Sequence, residues 1–376
     1  MSRFLISCGG TGGHLSPGIS LAEGLVARGH EVTLLISMKK VDSRLIEKYP
    51  DLTFLRMPGS GFSWHPVRFA RFAAAQLAAL RFCRSLVGSL QPSAVVGFGG
   101  FTSAPAALAG WLKRIPVALH EANRVPGLAI RVLGGLATRL YLPLGIRVSG
   151  VRTSVMRNAG LPVRREIVRL DPAAARSALG LSKDQRVLVI LGGSQGASAL
   201  NTWARGKLEA LAFESIQVYC VTGLGKGEPE KIVHKSRTGE PVASYFVPFS
   251  DRIPELLSSA DVVVSRAGAG TLAELIRCEV PAILVPYPHA ASDHQRANAS
   301  FFERQGGGLV VEESAMGELF DEVAEVASNE WLLRQFRANL RRMDRLNSLE
   351  LILGDLEAMA GARERAPAPV PAEAAP

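Results

Sequence analysis

The chain has 376 residues, 47% of them apolar and 20% charged, a balance that excludes a disordered or fibrous protein and favours two domains over one. Its net charge of +9 is unevenly placed: residues 1–160 hold 19 basic and 6 acidic side chains, whereas residues 161–376 hold 24 and 28. The first half is therefore suited to a polyanion, whether nucleic acid, an anionic membrane surface or a phosphorylated substrate.

Arg3–Cys8 reads as a strand, Pro17–Arg28 as a helix and Glu31–Ile36 as a second strand, with further strands at Ala94–Phe98 and Pro116–His120. In the second half Arg186–Leu191 is a strand and Ala199–Ala212 a helix. Strands follow at Ile216–Thr222, Ala243–Val247, Val262–Ser265 and Ala282–Val285, with a helix over Thr271–Arg277 and helical character across Glu318–Ala360. Apolar strands alternating with helices indicate parallel sheets covered on both faces. The expected fold is α/β: two doubly wound Rossmann-like domains facing across a cleft. Residues 1–160 form the first domain and 161–335 the second. Residues 336–360 form a C-terminal helix packing back toward the first domain, and 361–376 a disordered Ala/Pro tail.

Cys8, Cys83, Cys220 and Cys278 form no CxxC pair, so neither a zinc site nor a disulfide framework is expected and a reducing compartment is. MSRFLISCGGTGGH lacks a signal-peptide apolar region. The uncharged stretch Ser85–Leu112 is interrupted by Gly88, Pro92, Gly97, Gly99, Gly100 and Pro105, which argues against a membrane span.

Chemistry gathers where strands end. The first strand runs into Gly9-Gly10-Thr11-Gly12-Gly13-His14, a loop that lets backbone approach a ligand and a helix start that offers N–H groups to an anion. A tight turn explains it as well. No acidic residue closes the second strand, which counts against a dinucleotide site. His14, neutral near pH 7, suits a general base. Similar loops follow other strands: Gly97–Ser103, His120–Asn123 and Gly192–Ala197. In Ser265–Glu274 a helix begins at Thr271, with Glu274 either accepting from a ribose diol or closing a capping box with Thr271. Gln295 and Asn298 share a helix face on which amides suit sugar hydroxyls or simply meet solvent.

GGTGGH (9–14), GFGGF (97–101), HEAN (120–123), PVR (162–164), GGSQGA (192–197), AGAGTLAE (267–274) and DHQRAN (293–298) together resemble glycosyltransferase family 28 over roughly residues 3–355. The resemblance is to the GT-B enzymes of that family that convert lipid I to lipid II in peptidoglycan synthesis. It implies inverting transfer of GlcNAc from UDP-GlcNAc to the C4 hydroxyl of the lipid I muramyl sugar, with no cofactor and no metal. It also implies that Thr11, Gly12, Gly13, Asn123, Arg164, Ser194, Ser250, Gln295 and Asn298 bind the donor. The run Ala269, Gly270, Thr271, Leu272, Ala273, Glu274 would take phosphate and ribose. Gly99, Gly100 and Phe101 would form acceptor loops. His14 is then the first candidate for the base and Glu121 the reserve. Ala122, Ala267 and Phe101 depart from the family pattern, and Ala122 weakens any side-chain role at that position.

Residues 61–90 place Trp64, Phe69, Phe72, Leu80 and Phe82 among Arg68, Arg71, Arg81 and Arg84, without an acid. A core helix with a solvated Arg stripe accounts for the pattern, and so does a helix lying on an anionic membrane. The lipid-linked acceptor favours the membrane: a peripheral protein on the cytoplasmic face of the bacterial inner membrane, with other cell-wall synthesis proteins as partners and no nucleic acid. Transfer to another lipid such as diacylglycerol, a sugar-nucleotide epimerase and a non-catalytic sugar-nucleotide-binding subunit are the rival functions.

Overall fold

The computed structural model describes residues 1–9, 12–38, 46–59, 65–193, 196–344 and 348–364. The chain divides into two compact units, one of residues 1–121, 128–159 and the segment from Ser348, the other of residues 122–127 and 160–347.

In the first unit β1 (Arg3–Ser7), β2 (Glu31–Ile36), β3 (Thr53–Arg56), β4 (Ala94–Gly97), β5 (Val117–His120), β6 (Arg139–Leu142) and β7 (Met156–Asn158) form a sheet in the order β3-β2-β1-β4-β5-β6-β7. Every described pairing is parallel, with Phe4 opposite Val32 on one side and Ala94 on the other. Helices α1 (Gly12–Ala27), α2 (Pro66–Leu90), α3 (Gly100–Leu112) and α4 (Leu128–Leu133) join them. Because successive strand residues face opposite ways, β1 serves two cores at once. Phe4 and Ile6 pack with Leu15, Ile19 and Tyr141, whereas Leu5 packs with Leu35, Cys83, Val87 and Val95. That double burial is why β1 reads as an unbroken apolar run.

The second unit contains β8 (Arg186–Leu191), β9 (Ile216–Val221), β10 (Glu230–Lys235), β11 (Pro241–Val247), β12 (Val262–Ser265), β13 (Ala282–Leu284) and β14 (Gly308–Val310), ordered β10-β11-β9-β8-β12-β13-β14. Its helices are α5 (Pro172–Leu179), α6 (Ser198–Phe213), α7 (Ile253–Ser259), α8 (Ala269–Arg277), α9 (His294–Arg304), α10 (Leu319–Ser328) and α11 (Glu330–Met343). One strand corrects the all-parallel expectation: β10 pairs antiparallel with β11. Its sequence, EKIVHK, keeps charges on an edge that the sheet leaves open, the usual guard against pairing with another chain.

Two helix starts also differ from the sequence reading. α1 begins at Gly12 rather than Pro17, and α8 at Ala269 rather than Thr271. Both glycine-containing segments are already helical, and Pro17 sits inside α1. The 336–360 stretch is split. α11 stays with the second unit, where Arg341 pairs with Glu279 at 2.8 Å and Leu340 is buried. The last helix, α12 (Ser348–Glu364), belongs to the first unit and extends past the expected start of the tail at 361; residues 365–376 lie outside the described residues. Ile352, Leu353 and Leu356 of α12 are buried against Ile19 and Tyr141, and Asp355 accepts from Arg139 Nε and Tyr141 Oη, each at 3.1 Å. All four cysteines are free and buried, and burial pushes the Cys83, Cys220 and Cys278 thiols up to about 12, so they stay protonated and unreactive.

Leu356 is fully buried in α12, so Leu356→Ala should cost the first unit about 2–5 kcal/mol, read as a lowered midpoint in urea unfolding.

Candidate functional site

An open parallel sheet binds ligands beyond the carboxyl ends of its strands, where the strand order reverses. Each unit has one such point. It falls between β1 and β4 in the first and between β8 and β12 in the second.

At the first point the loop after β1 meets the loop after β4. His14, in the first turn of α1, is half-buried, and its ring lies against Gly99 and Gly100. Gly100 has φ +71°, a conformation that strains any other residue, and a Cβ there would stand 3.2 Å from the imidazole and push the ring by a few tenths of an ångström. Two hydroxyls stitch the loops together. Thr102 Oγ1 donates to the Gly9 carbonyl at 2.9 Å, and Ser103 Oγ donates to Gly99 at 2.6 Å. Two prolines leave carbonyls without their helical donors. Pro17 does so for exposed Gly13. Pro105 does so for Phe101, whose carbonyl is taken instead by Gln76 Nε2 of α2 at 3.2 Å. Gln76 was not among the expected residues, though Pro105 four positions after Phe101 signals the need for it. Glu121 is buried at the end of β5, its N–H bonded to the Tyr141 carbonyl at 2.9 Å. Thr11 lies outside the described residues.

At the second point Gly196, with φ +65°, packs so closely on β9 that a Cβ would collide with the Thr222 carbonyl. Ser194 lies outside the described residues. Gly268 is the N-cap of α8 and has no side chain, so the capping box of Thr271 with Glu274 does not form. The N–H groups of Ala269, Gly270 and Thr271 open the helix and have no intrahelical acceptor, whereas Leu272 N–H donates to Gly268 at 3.0 Å. Leu272 is a core residue, 7% exposed, which corrects its place among binding residues: an apolar side chain one turn in faces the sheet. Ala273 is half-buried within α8.

Glu274 sits in the second turn of α8 against Arg164. Arg164 Nη2 donates to its Oε1 at 3.4 Å, and Arg164 Nη1 pairs with Glu166 at 3.0 Å. Burial raises the Glu274 pKa above 4.5, and the Arg164 charge and hydrogen bond act against that rise. On α9, Gln295 Oε1 accepts from the N–H groups of Ala267 (3.2 Å) and Tyr287 (3.0 Å), which commits the oxygen and leaves the amide nitrogen as a donor. Ser250 Oγ accepts from Arg252 N–H at 3.2 Å, beside half-exposed Phe249.

Asn298 departs from its expected role. It is 1% exposed; its Nδ2 donates to the Ala267 carbonyl and to Asn123 Oδ1, both at 3.1 Å, and its Oδ1 accepts from Arg124 N–H at 3.0 Å. Buried and with both amide hydrogens donated, Asn298 fastens Asn123 to α9 rather than facing a ligand. Arg266 is a second residue the sequence reading passed over. Nine-tenths buried, it donates to the Val285 (3.1 Å) and Pro286 (3.4 Å) carbonyls and pairs with Glu313, tying the ends of β12 and β13 together.

α2 is divided along its length. Ala79, Cys83 and Val87 are fully buried, and Leu80 and Phe82 pack beside them, so these two belong to the core rather than to an exposed patch. Phe69 is 47% exposed, with Phe72 at 6.4 Å between ring centroids, and Arg71, Arg81 and Arg84 face solvent. Leu77, Trp111 and Leu112 are comparably exposed. Trp64 lies outside the described residues, as does the side chain of Arg68.

Family models described as the glycosyltransferase family 28 N-terminal and C-terminal domains match residues 4–142 and 187–343. The chain is 60% identical over 359 residues to a protein of Opitutus terrae, covering 96% of this chain and 95% of that one, and 36% identical over 316 residues to one of Prochlorococcus marinus, covering 83% of each. Both are named UDP-N-acetylglucosamine–N-acetylmuramyl-(pentapeptide) pyrophosphoryl-undecaprenol N-acetylglucosamine transferase. Among solved structures, that of Acinetobacter baumannii MurG superposes with a TM-score of 0.71 at 23% identity, covering 95% of this chain and all of the other.

Asn298→Ala should leave the Arg124 N–H and the Ala267 carbonyl without their partner, at roughly 1–3 kcal/mol per stranded group. Amide hydrogen exchange at Arg124 is expected to quicken while β8 stays protected.

Proposed function

This chain belongs to glycosyltransferase family 28, and we propose how its residues share a single sugar transfer. The enzyme moves GlcNAc from UDP-GlcNAc to lipid I, the N-acetylmuramyl-(pentapeptide) pyrophosphoryl-undecaprenol, and so forms lipid II. Transfer to the C4 hydroxyl with inversion builds positive charge on the sugar ring and negative charge on the departing UDP. A diphosphate must be stabilised and a hydroxyl deprotonated.

The observation that carries the reading is the start of α8. Three N–H groups open a nine-residue helix at the point where the second sheet reverses its order. A helix N-terminus favours an anion by its dipole and its free donors together. The diphosphate binds there, and charge developing on it during transfer meets donors that are already oriented. Glu274 accepts from the ribose hydroxyls, and the Arg164 charge and hydrogen bond oppose the rise in its pKa that burial brings. Gln295 turns its nitrogen to the sugar, because Ala267 and Tyr287 hold its oxygen. Asn123, fastened by Asn298, contacts the GlcNAc, and the Ser250 hydroxyl serves the uracil. Ser194 completes the phosphate contacts.

The first unit supplies the acceptor chemistry. His14, wedged against Gly99 and Gly100, takes the hydroxyl proton; Glu121 is the alternative base, though its burial makes it the poorer one. The Gly99–Phe101 turn receives the muramyl sugar.

No helix among the described residues is long and apolar enough to cross a membrane. We infer that the acceptor is reached from the surface. Phe69, Phe72 and Leu77 of α2, with Trp111 and Leu112, enter the interface while Arg71, Arg81 and Arg84 meet anionic headgroups, each worth about 1 kcal/mol near the surface. On this reading the protein works on the cytoplasmic face of the inner membrane, beside other enzymes of cell-wall synthesis.

His14→Ala should lower kcat by about 10²–10⁴-fold with the KM for UDP-GlcNAc little changed, measured as radiolabel passing into the lipid fraction from purified lipid I. Near-normal turnover at saturating substrate would transfer the role to Glu121. In liposome co-sedimentation the chain should bind vesicles containing phosphatidylglycerol, and Arg71→Glu, Arg81→Glu and Arg84→Glu combined should weaken that binding at least tenfold. Indifference to vesicle charge removes the membrane reading.

A further inference from the structure

The sheet of the first unit also carries an unclaimed cavity at its other edge. The Gly-rich loops leave the carboxyl ends of β1 and β4, but at the amino ends of β6 and β7 lies a cavity of about 580 Å³, lined by Trp111, Leu136, Arg139, Arg152, Val155 and Arg157 among others. That volume lies within the roughly 300–1,000 Å³ typical of small-molecule sites.

Its charge is one-sided. Asp355 is spoken for: both its oxygens accept from Arg139 Nε at 3.1 Å, and one accepts from Tyr141 Oη. Arg157 is aligned across the sheet with Tyr141, and its Nη1 donates to the carbonyls of Ser154 and Met156, both at 2.9 Å. Two backbone bonds on one nitrogen hold that guanidinium in place and leave its remaining N–H groups available. Arg152 is exposed and, among the described residues, takes part in no ion pair. Two guanidiniums are thus left without a carboxylate at the mouth of a cavity whose walls include Trp111, Leu136 and Val155. A fixed planar fork of donors matches phosphate oxygens, and the apolar wall suits the carbon skeleton attached to them.

We propose that this cavity binds a phosphate ester: Arg152 and Arg157 hold the phosphate, and Trp111 covers the organic part. A soluble phosphate ester and a phospholipid headgroup share this chemistry, and the site is separate from the one that takes the sugar nucleotide.

The test titrates the full chain with glycerol 3-phosphate in one arm and with phosphatidylglycerol vesicles in the other, following tryptophan fluorescence, with Trp111→Phe to assign the signal. The vesicle arm is run with Arg71, Arg81 and Arg84 changed to Glu, which removes the contribution of α2. Binding in the first arm identifies a soluble ester, and binding in the second alone identifies a lipid headgroup. In either case Arg152→Glu with Arg157→Gln should weaken it at least tenfold. Arg152→Glu alone changes an exposed side chain with no ion pair to lose and should weaken it several-fold in a fold of unchanged melting temperature. No binding in either arm, or binding that ignores both variants, overturns the proposal.

Discussion

The whole arrangement depends on one constraint: a parallel sheet exposes unpaired backbone and unfilled space only where neighbouring crossovers leave for opposite faces. In this chain the constraint operates twice, between β1 and β4 and between β8 and β12. At both places the polypeptide must turn sharply from strand to helix within a few residues, which is why glycines collect there. At the second a helix begins with its first N–H groups lacking an intrahelical acceptor. A diphosphate donor and a hydroxyl acceptor each need such an edge, and the fold provides one per unit before any catalytic side chain is chosen.

Much of this was legible because it follows from periodicity and turn chemistry. Strands buried on both faces, such as β1, β8 and β12, read as continuous apolar runs, and their carboxyl ends carry the loops. β3, β6, β7 and β14 escaped because they are three or four residues long, too short to show a periodicity. β10 escaped because an edge strand guarded by charge looks like a loop. The helix starts moved for a related reason. Glycine permits a helix without favouring it, so the sequence marks the first good helix former rather than the true N-cap at Gly268.

Side-chain roles were legible in kind but not in commitment. An amide on the face of α9 could bind a sugar hydroxyl or a neighbour, and the choice rests on what surrounds it. Asn298 is buried, and two of its three bonds go to the 122–127 segment, which comes from a distant part of the chain. Gln295, one turn earlier, meets only two N–H groups and keeps its donor. Leu272 and Glu274 present the same lesson at two positions on α8: one faces the core and the other Arg164. No local pattern separates a binding position from its neighbour when the separating contact is long-range.

Charge follows the same logic. The excess of cations in residues 1–160 overstates what the first unit has to offer, because α12 returns acids to it from the far end of the chain. Glu350 and Glu357 pair with Arg28, and Asp355 with Arg139, so two of those cations are spent on holding the last helix in place. Arg3 is spent in turn on Glu31. Among the described residues, Arg71, Arg81 and Arg84 on α2 and Arg152 beside β7 are exposed and take part in no ion pair, so charge remains on both of these surfaces.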